Sequence, residues 1–334
     1  GYKVHLVEST SSIGGVMAQL DKTFPTNDCS MCILSPLLVE ASRHPNIEIH
    51  TRARLRELEG KEGAFMARVE VRPRYVDPAK CTACGLCSEK CPVSVPSEFE
   101  AGLGERSAIY TPFPQAVPST YAIDPDVCRY LTEGKCGLCA KVCPAGAVDY
   151  NQRPGFLDLP VGAVVVATGA ADWDPTPLAE YGYGRHADVV TSIQLERLLS
   201  ASGPTGGELR RPSDGTAPRR VAWIHCAGSR DVNHVPYCSR ICCMYSVKEA
   251  VIAAEHDPDL ERLDLFYIDK RAYGKGFHEY VKAAGERDRV NLVRGRVAQV
   301  DRGPDGELWL THEDTELGRI VEDDLHHEPV TLRV

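Results

Sequence analysis

Two nearly identical nonapeptides constrain this chain more than anything else in it: CGLCSEKCP at 84–92 and CGLCAKVCP at 136–144. With Cys81 the first reads C-x2-C-x2-C-x3-C-P, and with Cys128 the second reads C-x7-C-x2-C-x3-C-P. Thiols this close along a chain let one tight loop wrap several sulfurs around a metal. Gly85 and Gly137 permit the turns and the close backbone approach that such a loop needs. In all, 334 residues hold 14 cysteines. An even count in a small secreted chain would suggest disulfides, but this chain is large and spaces its cysteines as metal ligands are spaced. A reducing, cytoplasmic setting with cofactor-bound thiolates is the expectation.

The first copy has the spacing of bacterial ferredoxins, in which the fourth cysteine of a run ligates the other of two clusters. That resemblance assigns Cys81, Cys84, Cys87 and Cys143 to one [4Fe–4S] cluster, and Cys128, Cys136, Cys139 and Cys91 to a second. A pair of zinc sites is the alternative, because C-x2-C alone is common there; two C-x2-C-x3-C-P copies fit it poorly. The longer first gap of the second copy sets Cys128 apart from the other ligands. Two clusters in one small domain make an electron relay.

Around this block the chain reads as α/β. YKVHLVES suggests a buried parallel strand ending at Glu8, and SPLLVEASRHP a helix with Ser35 as N-cap and Pro36 in its first turn. NIEIHT is a short strand. In AFMARVEVRPRYV, Phe65, Ala67, Val69 and Val71 alternate with charged residues, as a half-buried strand requires. From Asp77 to Tyr150 periodicity gives way to cysteine, proline and glycine, and GAVVVATG then resumes strand character. The expected organisation is a flavin-domain first part at 1–74, an inserted two-cluster α+β domain at 75–151, the flavin domain continued with a linker at 152–218, and a second nucleotide-binding-like α/β domain at 219–334. In the last of these RVAWIH, CMYSVKEAVIAAEH and LDLFYID give β–α–β order and a parallel sheet. The chain opens directly on a strand and ends without a capping tail, so it reads as an internal fragment. A net charge of −9 argues against nucleic acid or an anionic membrane surface as the main partner. No run approaches the roughly 18–20 apolar residues that span a bilayer.

In dinucleotide folds an acidic residue at the end of the second strand takes the adenosine ribose hydroxyls. Glu8 suits that role, with Gly14 and Gly15 as the glycine pair that lets backbone approach a bound dinucleotide; a solvated strand end and an ordinary turn are the plainer readings. VVVATG resembles the strand end that closes over FAD in the glutathione-reductase superfamily, which places Thr168 and Gly169 near the cofactor. Lys22 would put a positive charge near a flavin, or is simply solvated.

In the second unit the strand RVAWIH runs into Cys226-Ala-Gly-Ser-Arg, where a nicotinamide site would carry its glycine fingerprint. Only Gly228 remains of it. Cys226, Cys238, Cys242 and Cys243 surround this strand–helix junction, and folding the intervening loop back would gather them around a third [4Fe–4S] cluster. Alternatively they are small buried apolar residues. His225, His234 and His278 read as structural or solvated, and Asp269, at a strand end, lacks the glycines that would let it serve a ribose.

GGVMAQLDKTFPTNDCSMCILSP, the inserted block, HCAGSRD and PYCSRICCMYSVKEA together resemble the A subunits of heterodisulfide reductases, an iron–sulfur flavoprotein family on a thioredoxin-reductase-like FAD-binding core. The resemblance covers nearly the whole chain, and the last dozen residues fit it least well. It implies that Cys226, Cys238, Cys242 and Cys243 bind a cluster and that the nicotinamide site is vestigial. It also implies that FAD bifurcates electron pairs between ferredoxin and a disulfide-reducing partner, itself a further subunit, and that a hydrogenase or dehydrogenase subunit supplies them. Cys29 and Cys32 are expected to complete a further cluster with ligands from outside this fragment; a redox-active dithiol and a structural pair are the alternatives. Two other functions stay open: an NAD(P)H-dependent FAD/iron–sulfur oxidoreductase of the glutamate synthase small-subunit kind, and a non-enzymatic metal scaffold.

Overall fold

A parallel strand pair needs a crossover between its members, and the first fifty residues supply one. Strand β1 (Val4–Val7), helix α1 (Ser30–Arg43) and strand β2 (Ile47–His50) follow in order, with Val4 opposite Ile47 and Val7 opposite His50. The computed structural model describes residues 1–304, 307–315, 319–325 and 330–332. Contacts divide the chain into two units, residues 1–18 with 31–170 and residues 19–30 with 171–334. Residues 171–218 thus group with the second unit, apart from the flavin-domain strands with which the sequence associates them.

Two expectations for this region change. Helix α1 begins at Ser30 rather than Ser35 and carries Pro36 inside it. Proline forfeits one backbone hydrogen bond, but Met31, Leu34, Leu38 and Ala41 form a continuous stripe packed on Ile13, Phe113 and Val117, and that burial extends the helix through the break. Strand β1, for its part, is not buried: Val4 and Val7 are exposed, because β2 is its one strand neighbour among the described residues.

Strands β3 (Ala53–Lys61) and β4 (Ala64–Val71) form an antiparallel hairpin. Ala67 and Val69 of β4 are buried while Met66 and Arg68 face out, as alternation requires. The cysteine-rich block follows: α2 (Leu86–Glu89), β5 (Ser94–Pro96), β6 (Glu105–Ser107), β7 (Ile109–Tyr110), β8 (Ala122–Ile123), α3 (Arg129–Glu133) and α4 (Leu138–Val142). The chain then returns as β9 (Gly155–Val161) on the free side of β4, with Val71 opposite Gly155. Entry and exit of the block are therefore neighbours in one three-stranded sheet, and it is an insertion in the literal sense. Beyond β9 the run GAVVVATG is not a strand. A strand needs a neighbour for its backbone donors and acceptors; no described residue supplies one, and Val165 and Val166 stand 87% and 80% exposed.

The second unit is built on a parallel sheet. Its elements are β10 (Val189–Thr191), α5 (Ser192–Leu199), β11 (Arg220–Ile224), α6 (Cys242–His256), β12 (Arg262–Tyr267), α7 (Phe277–Gly285), β13 (Val290–Arg294), β14 (Val297–Arg302), β15 (Leu308–Asp314), β16 (Arg319–Leu325) and β17 (Val330–Leu332). The sheet order is β10-β17-β11-β12-β13, all parallel, and β14, β15 and β16 form a separate antiparallel meander. Helix α5 opens with a reciprocal cap: Gln194 N–H donates to Thr191 Oγ1, and Thr191 N–H donates to Gln194 Oε1. No helix among the described residues is long and apolar enough to cross a membrane.

Charged groups sit inside this unit. Lys248 of α6 pairs with Glu196 of α5, with their side chains 2% and 0% exposed. Glu196 also accepts the Asp21 N–H at 3.0 Å, and Trp223 Nε1–H donates to Glu249 at 2.9 Å. Removing one member of a buried pair strands the other charge without compensation, at a cost of about 3–5 kcal/mol. Lys248→Ala is therefore expected to destabilise the second unit by that amount. All three tryptophans, Trp173, Trp223 and Trp309, lie in this unit, so a guanidinium titration followed by tryptophan fluorescence reads the loss directly.

Candidate metal centres

The two cysteine runs fold alike. Gly85 and Gly137 adopt left-handed conformations, with φ of 88° and 90°, and each begins a short helix, α2 or α4, that carries the middle cysteines. A Cβ in the left-handed region is strained, which accounts for glycine at both places. Helices α2 and α4 pack on one another. Beside them lie two small cavities. The first is lined by Cys81, Cys84, Cys87 and Cys143, the second by Cys91, Cys128, Cys136 and Cys139. Each run thus contributes three sulfurs to one cavity and its last sulfur to the other. Cys128, set apart in sequence by its long gap, takes its place among the second four.

The sulfurs differ in their surroundings. Burial pushes the Cys87 thiol up to about 12. Burial also raises Cys139, although its Sγ lies 2.9 Å from the Tyr150 hydroxyl. Cys81 is lowered: burial opposes ionisation, but hydrogen bonds from the Thr120 side chain and the Tyr121 and Ala83 backbone, with Arg74 nearby, outweigh it. Cys143 Sγ accepts the Ala147 N–H at 3.3 Å. Thiols held neutral by burial become good ligands when a cation ionises them, and four sulfurs around a cavity are the donor set that iron–sulfur clusters take. Tyr150, Thr120 and Arg74 were not picked out from sequence. Tyr150 alone had a sequence cue, as an aromatic just beyond the second run.

In the second unit Cys226, at φ 56°, follows β11, while Cys242 and Cys243 form the first turn of α6. These three sulfurs are joined: Cys226 and Cys243 share hydrogen bonds with Cys242, which lowers the Cys242 thiol and raises the other two. Cys243 donates to the Asp269 carbonyl at 3.8 Å and accepts the Arg271 N–H at 3.4 Å. The loop between folds back as expected, Val235 N–H bonding to Gly228 O and Arg230 N–H to Tyr237 O. Cys238 ends that loop with its Sγ accepting the Arg240 N–H; no contact between its sulfur and the other three is recorded among the described residues.

The residual glycine is explained by packing. A Cβ at Gly228, whose φ is +73°, would lie 2.4 Å from Trp173 Cζ3. The indole packs directly against this backbone. The Asp269 carboxylate is likewise engaged, by Arg230 at 2.5 Å and Arg271 at 3.3 Å.

The remaining residues fall as follows. Glu8 directly follows β1 and is half-buried, its carboxylate accepting the Thr10 N–H at 2.7 Å. Gly14 and Gly15 both have positive φ, and the space beside the Gly15 Cα is open. Thr168 and Gly169 lie in the unpaired run after β9. Lys22 pairs with Asp21 at 3.4 Å and its backbone bridges to Cys29. Cys29, just before α1, and Cys32, in its first turn, are disulfide-bonded here, and service as cluster ligands would require that bond to be reduced to thiolates.

Residues 74–97 match the family model of the 4Fe-4S binding domain. Over 97% of its length the chain is 49% identical to the A subunit of the H2:CoB-CoM heterodisulfide,ferredoxin reductase of Methanothermobacter marburgensis, covering 48% of that protein. This chain belongs to the family of heterodisulfide reductase A subunits. The iron-sulfur A subunit of the CoB–CoM heterodisulfide reductase of Methanocaldococcus jannaschii is 48% identical over 96% of the chain. The A subunit of the ferredoxin:CoB-CoM heterodisulfide reductase of Methanosarcina mazei is 43% identical over 99%. The chain spans about half the length of the curated relatives it matches. Among solved structures, thioredoxin reductase from Lactococcus lactis aligns over 100% of the chain and 77% of its own at 9% identity and a TM-score of 0.45. The 4Fe-4S match covers the first cysteine run, and the cavity geometry extends the same donor pattern to the second run of this heterodisulfide reductase homologue.

Crossed lining makes a testable statement about which cysteines act together. Cys81→Ser with Cys143→Ser is expected to remove about four irons, one cluster, no more than either change alone. Cys81→Ser with Cys139→Ser is expected to remove about eight. Iron analysis of protein purified without oxygen distinguishes this from the uncrossed pairing, in which the first double variant would lose both clusters.

Proposed function

We propose that this chain is the electron-relaying segment of a heterodisulfide reductase-type A subunit, an oxidoreductase component that exchanges electrons with ferredoxin and a disulfide-reducing partner subunit. The observation that carries the reading is the pair of cavities, each lined by four cysteines drawn from both runs, in a chain 49% identical to such a protein. The names of relatives point the same way, several of them including ferredoxin. In this reading Cys81, Cys84, Cys87 and Cys143 hold one [4Fe–4S] cluster and Cys91, Cys128, Cys136 and Cys139 another. Cys226, Cys238, Cys242 and Cys243 hold a third, supported by the hydrogen-bonded trio at the start of α6. Glu8, Gly14, Gly15, Thr168 and Gly169 contact FAD, with Lys22 adding charge, and the open space at Gly15 favours this.

A bound flavin exchanges electrons in pairs or singly, whereas each cluster carries one. The protein's own contribution is selective placement of donors around sulfur. The Tyr150 hydroxyl steadies Cys139, while Thr120 and backbone amides serve Cys81. A nicotinamide-linked reading is disfavoured by Trp173 against Gly228 and by the engagement of Asp269 with two arginines. In this reading the flavin splits electron pairs arriving from a hydrogenase or dehydrogenase subunit between ferredoxin and the disulfide-reducing partner.

Iron, sulfide and flavin analysis of the full-length protein, purified without oxygen, tests this. One flavin per chain is expected, and Cys242→Ser is expected to lower iron by about four; unchanged iron removes the third site, and absence of flavin overturns the flavoprotein reading. Tyr150→Phe should keep the iron but lower one cluster's reduction potential. A hydrogen bond of about 1–1.5 kcal/mol corresponds to ~40–65 mV for one electron, measurable in an EPR-monitored redox titration.

A further inference from the structure

Away from every cysteine, three side chains converge on one side of the β1–β2 pair. His5 is the register partner of Glu48, and His50 lies two residues beyond Glu48 on β2. Paired residues of adjacent strands share a side of the sheet, and so do residues two apart, so all three side chains point the same way. His5 Nδ1 lies 3.1 Å from His50 Nε2. Glu48 reaches both rings, its Oε2 at 3.6 Å from His5 Nδ1 and its Oε1 at 3.7 Å from His50 Nε2. The imidazoles are stacked, with centroids 5.4 Å apart and planes 21° from parallel.

We propose that His5, Glu48 and His50 form a divalent-metal site of the zinc class, tying β1 to β2. Zinc bound tetrahedrally at about 2.0–2.2 Å from nitrogen and oxygen ligands has ligand–ligand edges of about 3.3–3.6 Å. The His5–His50 nitrogen separation, 3.1 Å, is close to such an edge. Glu48 sets one oxygen 3.6 Å from His5 Nδ1 and its other 3.7 Å from His50 Nε2. One ligand atom from each of the three residues falls within 4.8 Å of the others. Imidazole with carboxylate suits zinc over the hard oxygen-seeking cations. The two imidazoles are largely buried, with side chains 14% and 9% exposed, whereas Glu48 is 51% exposed. The ring nitrogens are thus held in place while the carboxylate side stays open, leaving the fourth position to water. Lys3, at 3.2 Å from Glu48 Oε2, fixes the carboxylate from outside, as partners of ligating carboxylates do; its own charge is mostly in solvent and therefore screened. Strands β1 and β2 are joined by four register pairs alone, so a cross-strand metal would stiffen a short sheet. None of this depends on the cluster or flavin assignments.

The test uses the full-length protein, purified without oxygen, treated with a chelator and dialysed against Zn²⁺, with zinc and iron counted together. The wild type is expected to hold one more zinc per chain than His5→Ala/His50→Ala, at equal iron. Glu48→Gln, which keeps the shape of the side chain, is expected to weaken that zinc at least tenfold and serves where the alanine pair fails to fold. Equal zinc in the wild type and in Glu48→Gln at limiting Zn²⁺, or no zinc retained by the wild type beyond what the cysteines take up, overturns the proposal and leaves a plain histidine–histidine hydrogen bond.

Discussion

Cys91 and Cys143 each leave the run they belong to in sequence and line the cavity of the other, and this exchange governs the insert. Neither half can complete its own ring of four sulfurs. The small helices α2 and α4 must therefore pack together, and the left-handed glycines that open them must sit in matching positions. Arg74 fastens this body to its host. Largely buried, its guanidinium donates to Ser11 O and Thr51 Oγ1 on one side and to the Thr120 and Tyr121 carbonyls on the other. Burial, reinforced by Arg52, lowers its pKa to about 10, still well above neutrality, so its five donors remain available.

The second unit is built on the β–α–β plan that nucleotide-binding folds also use. A parallel sheet with β–α–β order brings a strand end and a helix start together, the place where such folds bind phosphates. Here Trp173 packs on the single glycine left, and three linked cysteines occupy the junction. The buried Lys248–Glu196 pair beneath is kept by mutual neutralisation, and it ties α5 to α6.

What the sequence could show follows from how local each cause is. The alternation of 64–71 made β4 legible, because a half-buried strand writes its period into its own residues. The crossed lining of the cysteine runs was legible through their resemblance to bacterial ferredoxins, in which the fourth cysteine of a run serves the other cluster. Helix α1 was misjudged at its start because Pro36 is a local stop signal, whereas the stripe from Met31 to Ala41 is stabilised by Ile13, Phe113 and Val117, two of them far away in sequence. GAVVVATG has strand composition but no described pairing partner. Trp173, which fills the space at Gly228, comes from fifty-odd residues upstream and carries no motif. The site of His5, Glu48 and His50 was equally hidden, since its members meet only through the register of two strands.

The exchange of Cys91 and Cys143 also sets an order of events during synthesis. While the ribosome has delivered only the first run, Cys81, Cys84 and Cys87 have no fourth partner, and Cys91 waits for sulfurs not yet made. Four sulfurs for either cavity therefore exist only once both runs have been made, and a chain truncated between the two runs would leave every one of those sulfurs uncommitted.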